Sequence, residues 1–165
     1  MLIKTIGMSR PFAGAHLVTQ GFAARSEFEP WSYKERGRGS IWYRPVRDGQ
    51  YDRWHNGIDY AMPVGTQLLS PAAGLAHYVG FDLRGYGLHL VLHHGSNVYS
   101  LFGHLAVVRV PVGARVARGD VVALSGGAAG NINSGNSSGP HLHFAVLDYP
   151  LAHYVNPARF FARGK

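Results

Sequence analysis

The sequence contains no cysteine. That excludes a disulfide framework, a thiolate zinc site and a cysteine nucleophile. A transition-metal site would have to be built from His, Asp or Glu, and the chain has ten histidines against nine acidic residues. Long apolar runs are also missing. No stretch approaches the roughly 18 apolar residues of a transmembrane helix, so no membrane span is expected. The N-terminus, MLIKTIGMSRPFAGAHLVTQ, carries Lys4 and has no unbroken apolar run of signal-peptide length. Negative charge is scarce. Sixteen Lys and Arg give a formal net charge of +7 and a pI near 10.0, which draws a protein towards polyanions such as nucleic acid, anionic membrane or an anionic cell wall. The basic residues are scattered, although Arg36, Arg38, Arg44 and Arg47 thicken one region. No basic run resembles a nucleic-acid arm, and nucleic acid is not an expected partner.

What is present points to strands. The 165 residues suit one domain with a real core. Twenty-two glycines, about double the usual share of about 7%, stand with nine prolines and short apolar runs. That composition favours an all-β domain rich in turns. Residues 1–24 read as a lead-in, with a strand around HLVTQGF. Residues 25–54 mix Trp31, Tyr33, Trp42, Tyr43, Tyr51 and Trp54 with arginines, glycines and prolines, and show no period of 2 or 3.6. They read either as a surface loop packed by its own aromatics or as one wall of a binding groove. From residue 55 to 161 the chain reads as short strands between turns: TQLLSP, LAHYVGF, LHLVLHH, NVYSLFGHL, RVARGDVVALSG and HLHFAVLDY. Helix is expected only as a turn at NPARFFARG. The small, polar segment 127–139 reads as a mobile loop leading into His141.

The histidines need sorting. His16, His77, His89 and His153 have no partner pattern and read as structural or exposed. His93 and His94 read as a strand end with backbone hydrogen bonds. His141 and His143 stand two apart, which on a strand puts both imidazoles on one face. His55 and Asp59 are four apart, and Asn56-Gly57 argues against a helix between them. On an extended segment that spacing also returns to one face. His55 and Asp59 can therefore converge, and His143 can add a third ligand. Two His and one Asp form a mixed N/O set suited to one zinc ion, with the fourth tetrahedral position left for water. An open position of that kind distinguishes a catalytic zinc from a structural one. A nearby imidazole can then move protons near neutral pH.

HNGIDYAMPVGT, FGHL and SGPHLHF, in this order, resemble the lysostaphin-type zinc metallopeptidases, which are bacterial and phage peptidoglycan endopeptidases. The likeness runs from VTQGFAAR to VNPARFF and includes PVGTQLLSPAAGLAHYVG, YGLHLVLHHG and VPVGARVARGDVVALSG. It implies a twisted antiparallel sheet with a substrate groove and long flanking loops. It also implies His55, Asp59 and His143 as metal ligands, with His104 and His141 as the two non-ligand active-site histidines. One of these would accept the proton of the attacking water and pass it to the leaving amine, while the other stabilises the oxyanion. His141 is the favoured base. The substrate would be a peptide of peptidoglycan, either a Gly-Gly bridge or a D-amino-acid cross-link.

The chain departs from the family pattern at four places. Phe102 stands where a tyrosine is common, and Ala145 where a glutamate is frequent. The loop before GPHLHF and the insertion 25–54 are both long. Three other readings compete with this one. A non-catalytic member of the fold is disfavoured by the occupancy of all five positions. A lipoyl- or biotinyl-type carrier shares the hairpin rhythm of VPVGARVARGDVVALSG, but there is no lysine between Lys34 and Lys165 to modify. A basic polyanion binder is compatible with catalysis. With no export address seen, the expectation is an enzyme acting on the cell wall as a phage product, tail-associated or lytic, with other tail proteins as partners.

Overall fold

The computed structural model describes residues 6–22, 55–148 and 153–161. The expected insertion at 25–54 lies outside the described residues. Eleven strands follow in chain order: β1 (Val18–Gln20), β2 (Ile58–Ala61), β3 (Gln67–Leu69), β4 (Gly74–Asp82), β5 (Gly87–His93), β6 (Val98–Gly103), β7 (Leu105–Val108), β8 (Arg115–Val116), β9 (Val121–Ser125), β10 (His141–Asp148) and β11 (His153–Val155). Among the described residues helix occurs only as two 3-10 turns, Ile132–Ser134 and Pro157–Arg159. The second is the turn expected at NPARFFARG. Among the described residues no helix is long and apolar enough to cross a membrane.

An eight-stranded antiparallel sheet runs β1-β2-β10-β6-β5-β4-β8. β2 pairs with the first half of β10, and β11 takes over the same edge further along. A smaller antiparallel sheet runs β3-β9-β7. The all-β expectation is therefore met, with a second sheet that the strand pattern did not separate. The stretch RVARGDVVALSG, expected among the short strands, is split between the sheets: β8 joins β4, and β9 joins β3 and β7.

β10 shows why HLHFAVLD forms a central strand. Its even residues, Leu142, Phe144 and Val146, enter a core with Leu90, Leu92 and Phe102 of the large sheet and Leu68, Leu105 and Val122 of the small one. Its odd residues Ala145 and Leu147 enter a second cluster with Tyr86, Val91, Leu101 and Tyr154. A strand buried on both faces reads as a near-continuous apolar run. Two histidines interrupt that run on the odd face. Burying one Leu or Phe is worth about 1.5–3 kcal/mol, so the even face supplies much of what fixes the register.

NVYSLFGHL is not one strand. It breaks at His104, whose φ of 57° lies in the left-handed region. β6 before the break belongs to the large sheet and β7 after it to the small sheet. A non-glycine residue there carries a cost of order 1–3 kcal/mol and persists only where its surroundings over-determine it. Phe102, two residues earlier, is fully buried between the sheets and packs edge-on against Phe144 at 5.2 Å. Its missing hydroxyl is therefore a matter of the core.

Candidate metal centre

The register of β10 sets the centre. His143 lies directly opposite Asp59 of β2 on one side and Gly103 of β6 on the other. Asp59 sits between Ile58 and Tyr60, which face the core, so its carboxylate projects from the opposite face, where His141 and His143 stand. His55 lies just before β2. His55 Nε2 is 3.1 Å from Asp59 Oδ1 and 3.1 Å from His143 Nδ1, and His143 Nδ1 is 2.9 Å from Asp59 Oδ1. The three residues drawn together from HxxxD and HxH thus present one donor atom each to a common point.

The donor chemistry suits a divalent cation. His55 Nδ1–H donates to the Gly21 carbonyl at 3.0 Å, which leaves its Nε2 as a lone pair. That lone pair faces the carboxylate oxygen of Asp59 at 3.1 Å. Two electron-rich atoms in contact call for a proton or a cation between them. Metal–donor bonds of about 2.0–2.1 Å at tetrahedral angles place donor atoms about 3.3 Å apart. The observed edges of 2.9 to 3.1 Å come close to that. His143 Nε2 is buried with no hydrogen-bond partner, a common place for strain or an unassigned water.

The electrostatics keep the ligands in the right protonation state. Burial pushes the Asp59 carboxyl up, but the His143 and His55 rings against it outweigh that, and the group is held well below the usual carboxylate range. Burial lowers His143, with Asp59 pulling the other way. Metal ligands must be a carboxylate and neutral imidazoles, and the lowered Asp59 and lowered His143 both lean that way.

His104 and His141 stand beside this centre. Their rings lie 4.7 Å apart, and the His104 ring is 6.0 Å from that of His143. His141 Nε2 is 3.6 Å from Asp59 Oδ2, too long for a hydrogen bond. His141 Nδ1–H donates to the Gly139 carbonyl at 2.8 Å, and Ser137 Oγ lies 3.1 Å from the same nitrogen. His104 Nδ1–H donates to the Ser134 carbonyl at 2.7 Å. Burial, then His141 and His143, push its pKa down to about 3. All five residues expected from the sequence are therefore adjacent.

Several neighbours were not singled out by sequence. Tyr86 lies against His143 with ring centroids 5.2 Å apart, and its carbonyl accepts the His104 backbone N–H at 2.6 Å. Its hydroxyl accepts from Asn56 Nδ2 and lies 3.4 Å from the Tyr154 hydroxyl. The available signal was an aromatic residue held between Gly85 and Gly87. The segment 127–139, expected to be mobile, is instead tied down: it holds the Ile132–Ser134 turn and the buried Ser134, and Ser137 Oγ lies within hydrogen-bond reach of the Gly127 and Gly139 carbonyls, with one proton to share between them. Three of the other histidines are structural in their contacts. His94 Nδ1 donates to Ala73 and its Nε2 meets Ser100 Oγ, His89 Nδ1 donates to Gly87, and His16 Nδ1 donates to Ala61.

Known proteins were compared with this arrangement. The family model described as "Peptidase family M23" matches residues 53–157. The peptidoglycan DD-endopeptidase ShyA of Vibrio cholerae is 35% identical over 93 residues, which is 56% of this chain and 20% of that protein. Two solved structures resemble the fold closely. One is a variant of the catalytic domain of the prophage-encoded M23 protein EnpA from Enterococcus faecalis, 26% identical with a TM-score of 0.65, covering 92% of this chain and 95% of that one. The other is a zinc-containing peptidase from Vibrio cholerae, 27% identical with a TM-score of 0.65, covering 96% of this chain and 41% of that one. The chain spans between a fifth and two fifths of the length of the curated relatives it matches. The matched residues 53–157 take in all five positions gathered at the centre, and with the fold shared across nearly the whole chain they lead to one assignment: it belongs to peptidase family M23, the lysostaphin-type metallopeptidases.

Proposed function

We propose that the chain is a zinc-dependent endopeptidase that hydrolyses peptide bonds in the cross-links or bridges of bacterial peptidoglycan. The observation that carries the reading is the triangle of His55 Nε2, Asp59 Oδ1 and His143 Nδ1, with edges of 2.9 to 3.1 Å. In this reading those three residues hold one zinc ion and leave the fourth tetrahedral position to water. Zinc held there supplies Lewis acidity, which polarises a carbonyl oxygen and makes a water acidic enough to lose its proton near neutral pH. The zinc-containing Vibrio peptidase supports the choice of metal, and ShyA, a peptidoglycan DD-endopeptidase, supports the substrate class.

The remaining work falls to the chain's own groups. Gly21 fixes the His55 ring through Nδ1, so that Nε2 is the nitrogen turned to the metal. His141 is partly exposed and keeps Nε2 on the side of Asp59. It takes the proton of the attacking water and delivers it to the leaving amine. His104, buried beside it, lies where negative charge develops on the carbonyl oxygen; with its Nδ1–H held by Ser134, it stabilises that charge only when its Nε2 carries a proton. The likeness to prophage-encoded EnpA supports a phage setting, tail-associated or lytic, in which other tail proteins would be partners.

Purified sacculi of several cross-link chemistries test this reading, digested with and without a chelator and read by mass spectrometry. New amino termini released only without chelator are the expected result, and they name the scissile bond. His143→Ala should lose metal and activity together, and His141→Ala should keep metal and lose activity. A zinc-loaded protein that releases nothing from any wall would point to a non-catalytic, wall-binding member of the fold.

A further inference from the structure

We propose that the segment 127–139 is a positioning clamp for both non-ligand histidines, locked onto the turn at 85–87 by the contact of Gly135 with Gly87. The proposal rests on the reading that His104 and His141 act on substrate. Each of these rings has its Nδ1–H taken by a carbonyl of this one segment: Ser134 for His104 at 2.7 Å and Gly139 for His141 at 2.8 Å. In both rings Nε2 is the nitrogen left for a ligand. A carbonyl on Nδ1 fixes the tautomer as well as the ring angle.

His104 is gripped twice. Its backbone N–H donates to the Tyr86 carbonyl at 2.6 Å, and its ring donates to Ser134. Those grips come from two segments distant in sequence, and the two segments are joined to each other. Asn136 N donates to the Gly85 carbonyl at 3.1 Å. A Cβ on Gly135 would run into the Gly85 carbonyl and the Gly87 amide, and a Cβ on Gly87 would run into the Asn133 carbonyl. The backbones touch with no room for a side chain on either. Gly135 also has φ of 59°, which glycine adopts without cost. This double grip accounts for the left-handed φ of His104, a conformation that lasts only when imposed from outside. At the other end of the segment Ser137 Oγ reaches the Gly127 and Gly139 carbonyls at 2.7 and 2.8 Å and His141 Nδ1 at 3.1 Å. Gly135, Gly87 and Ser137 are positioning residues in this scheme.

Gly135→Ala is the test, with three readouts on the full chain. Metal is titrated against a competing chelator. Wall digestion is followed for kcat and KM. Imidazole 15N–1H correlation spectra, recorded above neutrality, report the tautomers of His104 and His141. The clamp requires metal affinity within about threefold of the unaltered protein. It also requires kcat at least tenfold lower with KM changed less than threefold, and loss of the pure Nδ1–H tautomer at His104. Unaltered tautomers, or metal lost along with activity, would overturn it. The spectra do not depend on turnover, so a protein inactive on every wall would sink the peptidase reading and leave the clamp to be decided by the tautomers. If Gly135→Ala does not fold, Ser137→Ala decides: the His141 tautomer should become mixed while that of His104 stays, and Ser137→Thr should restore it. An unchanged His141 in Ser137→Ala would refute the clamp.

Discussion

At the scale of single residues, the centre depends on close approach as much as on ligand identity. Gly57 lies where a Cβ would come within 2.5 Å of the Phe144 carbonyl and 2.8 Å of the His143 ring. Gly57→Ala should therefore push on the β10 backbone and on His143 together, at the point where β10 meets β2. We expect metal affinity to fall at least tenfold, measured by competition with a chromogenic chelator, together with a lower unfolding midpoint. The five residues gathered at the centre were legible in the sequence because strand periodicity and the family motifs both bear on side chains. The groups that hold them were not, because most are backbone carbonyls. Gly21, Tyr86, Ser134 and Gly139 act through an oxygen that every residue carries, so no residue type marks them.

At the scale of elements, β10 carries the strain of serving two cores and the centre at once. Phe144 is fully buried between the two sheets. Phe144→Ala should cost about 3–5 kcal/mol, read from the urea midpoint. The sheets also hide histidines that take no part in the centre. Burial lowers the pKa of His89 and of His94, each against hydrogen bonds that pull the other way. The unfolded chain then binds protons below about pH 6.5 that the native fold refuses, so stability is full above that pH and declines as it drops. The depressed Asp59 carboxyl acts in the same direction below about pH 4. Thermal unfolding of metal-free protein should show a midpoint that is flat above neutrality and falls steadily from about pH 6.5 to pH 4. Strands were legible here because β-branched and aromatic runs between glycines give them away. The change of sheet at His104 was not, since FGHL continues the strand pattern on both sides and only tertiary contacts impose the break.

At the scale of the whole molecule, metal and fold are linked. The three ligands come from the segment before β2, from β2 itself and from β10, so a cation bound there ties together parts of the chain distant in sequence. A free metal concentration of 100 times Kd should add about 2.7 kcal/mol to stability. The unfolding midpoint should rise on adding zinc and fall back with chelator. A midpoint indifferent to both would mean that the triangle does not bind. The break at His104 has a consequence at this scale too. His104 sits on the hinge between the two sheets, so its position records how those layers are seated. If His104 acts as proposed, its working is a property of the layers' mutual alignment, and it can fade while every strand keeps its partner.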